Sequence, residues 1–169
     1  EERTFNLLSE ENSKLEEEKE SLIQEVNFLK RKSSIIKEQV DFINKYTLND
    51  IDNLEGFEFE RFCTKLLLID GYEKVQNTKE SVDYGIDIIA EKDNIKYAVQ
   101  CKRYEGKVGN DAIQEAMTGK EYYGCNIAIV LTNSTFTHNA QRLSKSAGVI
   151  LWDRSVLSDI IKRNKEKIL

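Results

Sequence analysis

The sequence predicts an α/β fold, a mixed sheet with helices on both faces, preceded by one long helix. Three observations predict it. Leu8, Leu15, Leu22, Leu29, Ile36 and Ile43 recur at every seventh position in a stretch from Thr4 to Tyr46 with no Gly and no Pro, the pattern of a helix with a continuous apolar seam. Further on, short apolar runs rich in β-branched and aromatic residues (Ile86–Ala90, Ile95–Cys101, Asn126–Leu131 and Val149–Trp152) are bounded by turn residues and read as strands. These runs alternate with helix-period segments closed by Gly71, Gly124 and Gly148, which places helices against a sheet.

Taken in order, residues 1–46 form a coiled-coil dimerisation helix and residues 47–169 a single α/β domain. With the leucines at heptad position d, Phe5, Asn12, Lys19, Val26, Ser33 and Val40 fall at a. Leu at most d positions with polar Asn12 and Lys19 at a favours two strands and hence a homodimer. Glu25 attracts Lys30 of a parallel partner and Glu11 repels Glu16, so the orientation stays open. The helix would be roughly 60 Å long at ~1.5 Å per residue. The plainer reading, one amphipathic helix packed on its own domain, leaves most of so long a stripe uncovered.

Thr47 to Glu55 reads as a short ordered connector, since it has no run of Gly or Ser. Phe59, Phe62, Cys63, Leu66, Leu67 and Ile69 then have helical spacing over Phe57–Asp70, with Gly71 as a left-handed stop. Tyr72–Gln76 is a short strand. Asp93-Asn94 joins two strands in a tight turn. Asn110 is expected to cap a helix through Tyr123. Asn126–Leu131, continuously apolar, is expected to be a strand buried on both faces. Thr137 caps a helix to Ala147, Val149–Trp152 is a strand, and Asp153 caps a last helix that ends in a basic tail, Lys162–Lys167. From residue 57 the order is helix, three strands, helix, strand, helix, strand, helix.

Composition narrows the function. The 169 residues carry a formal net charge of −5, so a nucleic-acid surface would have to be local. Three cysteines without paired spacing suit a reducing cytosol rather than a disulfide framework, and the expected location is cytoplasmic. No apolar run reaches the ~18 residues of a membrane span. A membrane anchor enters only if the chain, which begins with Glu1, is a fragment. His138 has no second histidine, which argues against a histidine-based or zinc site. Gly106 and Gly109 lack the context of a phosphate-binding loop. Cys63, Cys101 and Cys125 read as small core residues.

The chemistry concentrates in residues 84–104. Alternation along a strand puts Gln100 and Lys102 on one face and Cys101 on the other. Asp87, at the start of the preceding strand, can share the face of Gln100 and Lys102. A carboxylate, an amide oxygen and an ammonium converging at one end of a sheet suit a hard divalent cation and a water. The bland alternative is an ordinary solvent-side row on an amphipathic strand.

Gly85-Ile-Asp87 followed by Gln100-Cys-Lys102-Arg-Tyr resembles the Mrr-type branch of the PD-(D/E)xK nuclease superfamily, in which Gln replaces the usual acidic residue of the last motif. Gly56-Phe-Glu-Phe-Glu60-Arg-Phe resembles its first helix. Asp83-Tyr-Gly-Ile-Asp87 resembles its loop, with Tyr84 in place of a Gly. Leu131-Thr-Asn-Ser-Thr-Phe-Thr with Ala140 resembles its later strand and helix. The likeness covers residues 54–157. It implies a restriction-endonuclease-like fold and a Mg²⁺-dependent endonuclease, with Mn²⁺ as a substitute, that hydrolyses phosphodiester bonds of DNA in restriction of foreign DNA.

By the same resemblance, Asp87 is a metal-binding carboxylate and Gln100 turns its side-chain oxygen to the metal, with the backbone carbonyl of Cys101 as a further ligand. Lys102 positions the attacking water and offsets charge on the phosphorane. Glu60 either ligates the metal or supports its ligands, and Asp83 either joins the site or only caps its loop. Arg103, Tyr104 and Lys107 are the expected DNA contacts, with Lys120 between that role and a solvated edge. Two other readings stand beside this one: a non-catalytic DNA-binding or scaffolding protein whose coiled coil docks a partner, and a nuclease acting on junctions or RNA.

Overall fold

The computed structural model describes residues 2–78 and 84–168, with side chains over 3–78 and 84–167. The chain forms two compact units, Glu1–Asp41 and Phe42–Leu169.

The first unit is helical. It lies within α1 (Glu2–Lys45), which runs unbroken because no Gly or Pro interrupts its backbone bonds. Its seam is open: Leu8, Leu15, Leu22, Leu29 and Ile36 are all at least half exposed.

The second unit begins with the last turn of α1, and here the heptad register meets a different environment. Ile43, the last seam residue, is 3 % exposed and lies in the core of this unit. Phe42 and Tyr46 pack their rings on Phe62. The supposed connector contains a helix, α2 (Leu48–Asp52). Thr47 caps it through a reciprocal box with Asp50, whose carboxylate accepts from the Thr47 N–H at 2.8 Å. Next come α3 (Gly56–Ile69), β1 (Glu73–Asn77), β2 (Ile88–Lys92), β3 (Ile95–Lys102), α4 (Asn110–Tyr122), β4 (Ile127–Thr132), α5 (His138–Ala147), β5 (Val149–Trp152) and α6 (Arg154–Ile168). The cap of α4 is Gly109 rather than Asn110. Thr137 and Asp153 accept from backbone N–H groups as expected.

The five strands lie in the order β1-β2-β3-β4-β5. β1, β2 and β3 are antiparallel neighbours, whereas β3, β4 and β5 run parallel, so the sheet is mixed. Alternation sorts the side chains into two cores. Ile88, Val99, Cys101, Ile129 and Leu131 meet α3 and α6 through Phe59, Phe62, Leu66, Leu157 and Ile160. Ala98, Ala128, Val130 and Val149 meet α4 and α5 through Ile113, Ala116 and Ala140. The alanines let α4 lie close to the sheet, and that closeness builds the site described next.

Candidate active site

The β2–β3 hairpin is set by Asp93 and Asn94, both at positive φ (53° and 63°), the backbone that a two-residue hairpin turn requires. Ile88 pairs with Val99. Asp87, one residue before β2, donates its N–H to the Val99 carbonyl at 3.0 Å. Its carboxylate Oδ2 accepts the Cys101 N–H at 2.6 Å. The side chain thus continues the ladder where the strand has not yet begun. That bond fixes the carboxylate beside the end of β3, where Gln100 and Lys102 stand.

Glu60, Asp87, Gln100, Cys101, Lys102 and Glu115 line one open cleft of about 570 Å³. Asp87, Gln100, Lys102 and Glu60, expected together, are therefore brought together. Glu60 comes from α3, half-buried, on the other side of the sheet from α4. Asp83 falls outside the described residues.

Glu115 of α4 is the residue that sequence reasoning missed. Its Oε2 accepts from the Lys102 ammonium at 2.8 Å and from the Gln100 Nε2. Burial pushes its carboxyl up, but the bonds from Lys102 and Gln100 outweigh this and hold it below its ordinary value. Two glycines permit this approach. A Cβ on Gly85, whose φ is +72°, would lie 2.6 Å from the Glu115 Cβ, and one on Gly119 would lie 2.6 Å from the Tyr84 carbonyl oxygen. Helical spacing in α4 marks Glu115 only as one exposed acidic residue among several, so no local signal identifies it.

Gln100 is 2 % exposed, and its Oε1 is buried without a hydrogen-bond partner. An orphaned acceptor inside a fold is uncommon and costs free energy. Among the described residues, no group of three or more His, Cys, Asp and Glu can hold a metal ion. The carboxylates alone are too few, and an amide oxygen lacking a partner beside Asp87 is the donor that would add to them. The all-oxygen set of Asp87, Gln100 and the Cys101 carbonyl therefore fits a hard divalent cation. The Cys101 thiol faces the other core beside Cys63, and burial, then its bond to Cys63, push its pKa well up, which makes it a poor nucleophile.

Tyr104 and Lys107 are exposed on the loop that leaves β3. Arg103, expected on phosphate, turns toward α2: its Nη2 donates to the Asp52 carbonyl at 2.5 Å, and its Nη1 lies 3.3 Å from Glu105. The Asp52 side chain in turn accepts from Asn133 at 2.9 Å and from Arg154 at 2.5 Å. Burial pushes the Asp52 carboxyl up, yet Arg154 and Asn133 bring it below its ordinary value. Asn133 Oδ1 also accepts the Tyr104 N–H at 2.8 Å. Arg103 is thus drawn into a web that braces the Tyr104 loop. Lys120 pairs with Glu121 at 2.8 Å. His138 is exposed, and Cys63, Cys101 and Cys125 are buried and unbridged.

A family model described as restriction endonuclease, Mrr_cat, matches residues 51–161. Among solved structures, the chain superposes on AF1548, a protein of unknown function, with a TM-score of 0.52 and 21 % identity over 60 % of this chain and 59 % of that one. VC1899 from Vibrio cholerae gives 0.49 and 15 % over 65 % of this chain and 33 % of that one. The DNA modification-dependent restriction endonuclease AspBHI gives 0.48 and 16 % over 79 % and 36 %. The chain thus spans less than two thirds of the length of each. No curated protein matches the chain.

Proposed function

This chain belongs to the Mrr_cat restriction endonuclease family, and on that premise we propose that residues 47–169 form a Mg²⁺-dependent DNA endonuclease domain acting in restriction of foreign DNA. The observation that carries this reading is the buried, unpartnered Oε1 of Gln100, a residue that lines one cleft with Asp87, Lys102 and Glu60.

Asp87, Gln100 Oε1 and the Cys101 carbonyl would hold Mg²⁺, or Mn²⁺ in its place, with Glu60 as ligand or support. A bound divalent ion supplies Lewis acidity toward a phosphate oxygen and acidifies water. The chain's own groups do the rest. The bond from the Cys101 N–H keeps the Asp87 carboxylate oriented. Lys102, held at the mouth of the cleft by Glu115, orients a water and offsets the charge that builds on phosphorus. Tyr104 and Lys107, on the loop braced by Arg103 and Asn133, meet the DNA backbone.

The first unit would serve as a dimerisation helix: its seam is apolar, continuous and exposed, and two cleaving units suit a two-stranded substrate. Three buried, unbridged cysteines fit a cytoplasmic location. Among the described residues, no helix is long and apolar enough to cross a membrane.

Supercoiled plasmid incubated with the protein in Mg²⁺, Mn²⁺ or EDTA tests the reading. Nicked or linear product in either metal, and none in EDTA, is the expected result. Intact plasmid under all three conditions would favour a binding or scaffolding protein instead.

A further inference from the structure

We propose that Glu115 is a positioning residue that decides which end of the Gln100 amide is tied to α4 and which is left unpaired, so that an oxygen and not an NH₂ group remains for a divalent cation. The inference rests on the cation-binding reading of the cleft given above and goes beyond it.

A carboxylate at this point of the strand is symmetric, and either oxygen serves as ligand. An amide is not. Its two ends are nearly equal in size, so packing alone does not choose between them. Rotated by half a turn, Gln100 would present two N–H donors to a cation and repel it. Water makes no choice either, because the side chain is 2 % exposed. Glu115 makes it. An ionised carboxylate only accepts hydrogen bonds, so its Oε2 takes Nε2 and leaves Oε1 buried without a protein partner.

Lys102, donating to the same Oε2 at 2.8 Å, holds that carboxylate in place. Gly85 makes the room: an added Cβ would reach the Glu115 Cβ at 2.6 Å and the Gln100 Nε2 at 3.4 Å. The short relay Lys102–Glu115–Gln100 is therefore built around a backbone position that has no side chain.

The test is a Mn²⁺ titration by calorimetry of the full chain, in six forms: Glu115, Glu115→Ala and Glu115→Gln, each with Gln100 and with Gln100→Glu. With Gln100 present, Glu115→Ala should weaken Mn²⁺ binding about tenfold, the scale of one hydrogen bond to a charged group. Glu115→Gln, which keeps an acceptor oxygen for Nε2, should stay within about threefold of wild type. With Gln100→Glu, orientation no longer matters and two carboxylates would face each other. There Glu115→Ala should leave binding unchanged or tighten it.

If Glu115 acted only as a negative charge, Ala and Gln at position 115 would weaken binding alike in both backgrounds, and that result overturns the proposal. A second readout needs no metal. The side-chain amide resonance of Gln100, assigned by its loss in Gln100→Glu, should move in Glu115→Ala. An unmoved resonance overturns the proposal too. Wild type that fails to bind Mn²⁺ while the resonance moves would refute the metal-binding reading but leave the orienting contact standing. Glu115 is exposed over nearly half of its side chain, so its variants should fold, as matching thermal melts would verify.

Discussion

Replacing Gly119 by Ala sets two effects of known size against each other. Within a helix, Ala is favoured over Gly by about 1 kcal/mol. Gly119 is buried in α4, however, and a Cβ there would lie 2.6 Å from the Tyr84 carbonyl oxygen and closer still to Ile86 Cγ1. A backbone carbonyl cannot rotate away, so α4 or the loop before Asp87 must shift, and forced overpacking of this kind costs about 1–3 kcal/mol. With a backbone atom in the way the close contact should win, leaving a net loss of up to about 2 kcal/mol. For a chain of this size that lowers the melting temperature by about 2–4 °C for each kcal/mol lost. Glu115 lies one turn earlier on α4, so cleavage and Mn²⁺ affinity should fall together with stability. Calorimetric melts of wild type and Gly119→Ala measure the effect. Gly56→Ala, with nothing within 4 Å of the added carbon, is the control and should melt at or slightly above wild type. A Gly119→Ala protein that melts as high as wild type would refute the argument that α4 is packed to its limit against residues 84–86.

Asp87→Asn and Lys102→Ala should each lower metal-dependent nicking by more than about a hundredfold while the proteins remain folded, and undiminished nicking in clean preparations would exclude this active site. Asp87→Ala is a less clean probe than its place outside the core implies, because the Cys101 N–H would lose its acceptor at a cost of about 1–3 kcal/mol. Sedimentation should show a dimer for the full chain and a monomer for a chain starting at Phe42; two monomers at micromolar concentration would rule out the coiled coil. A chain starting at Thr47 should also be less stable by about 2–5 kcal/mol, since it loses buried Ile43. The buried Asp70 carboxylate accepts from Arg163 and Asn164. Burial pushes its carboxyl up, but Arg163, Asn164 and Lys92 carry it below the ordinary 3.8. Because the folded value is the lower one, this stability is present above pH 3.8 and is lost as pH falls through the folded value. Asp70→Asn should flatten that acid slope and cost about 2 kcal/mol at neutral pH; denaturant melts from pH 2 to 7 with parallel slopes for both proteins would contradict this assignment.

What could be read in advance was whatever depends on neighbours in the chain. The Asp93-Asn94 turn, the Thr137 and Asp153 caps, and the Gly71, Gly124 and Gly148 stops all act over a few residues. Each was placed to within a residue or two. The alignment of Asp87 with Gln100 and Lys102 follows from one hairpin register. By contrast, Glu115 reaches the site only because Gly85 and Gly119 let α4 come close, a property of packing that no spacing encodes. Arg103 illustrates the same limit. As a strand-end cation it resembles a phosphate contact, yet Asp52, 51 residues earlier in the chain, captures it. The small helix α2 did carry a local signal in Thr47 and Asp50, but five residues are too few for any periodicity to stand out.

The irregular course of β1 bears on how copies of the molecule can meet. An outer strand ordinarily offers a row of unpaired backbone groups on which another chain can build. Here that strand is short, carries Glu73 and Lys74, and loses register with β2 between Glu73 and Gln76, where Lys74 takes a positive φ of 47°. The opposite border, β5, is four residues long. Both margins are thus blunted against strand addition, so the sheet is a poor template for fibrils. Any self-association is thereby left to a surface whose side chains, rather than its backbone, would choose the partner.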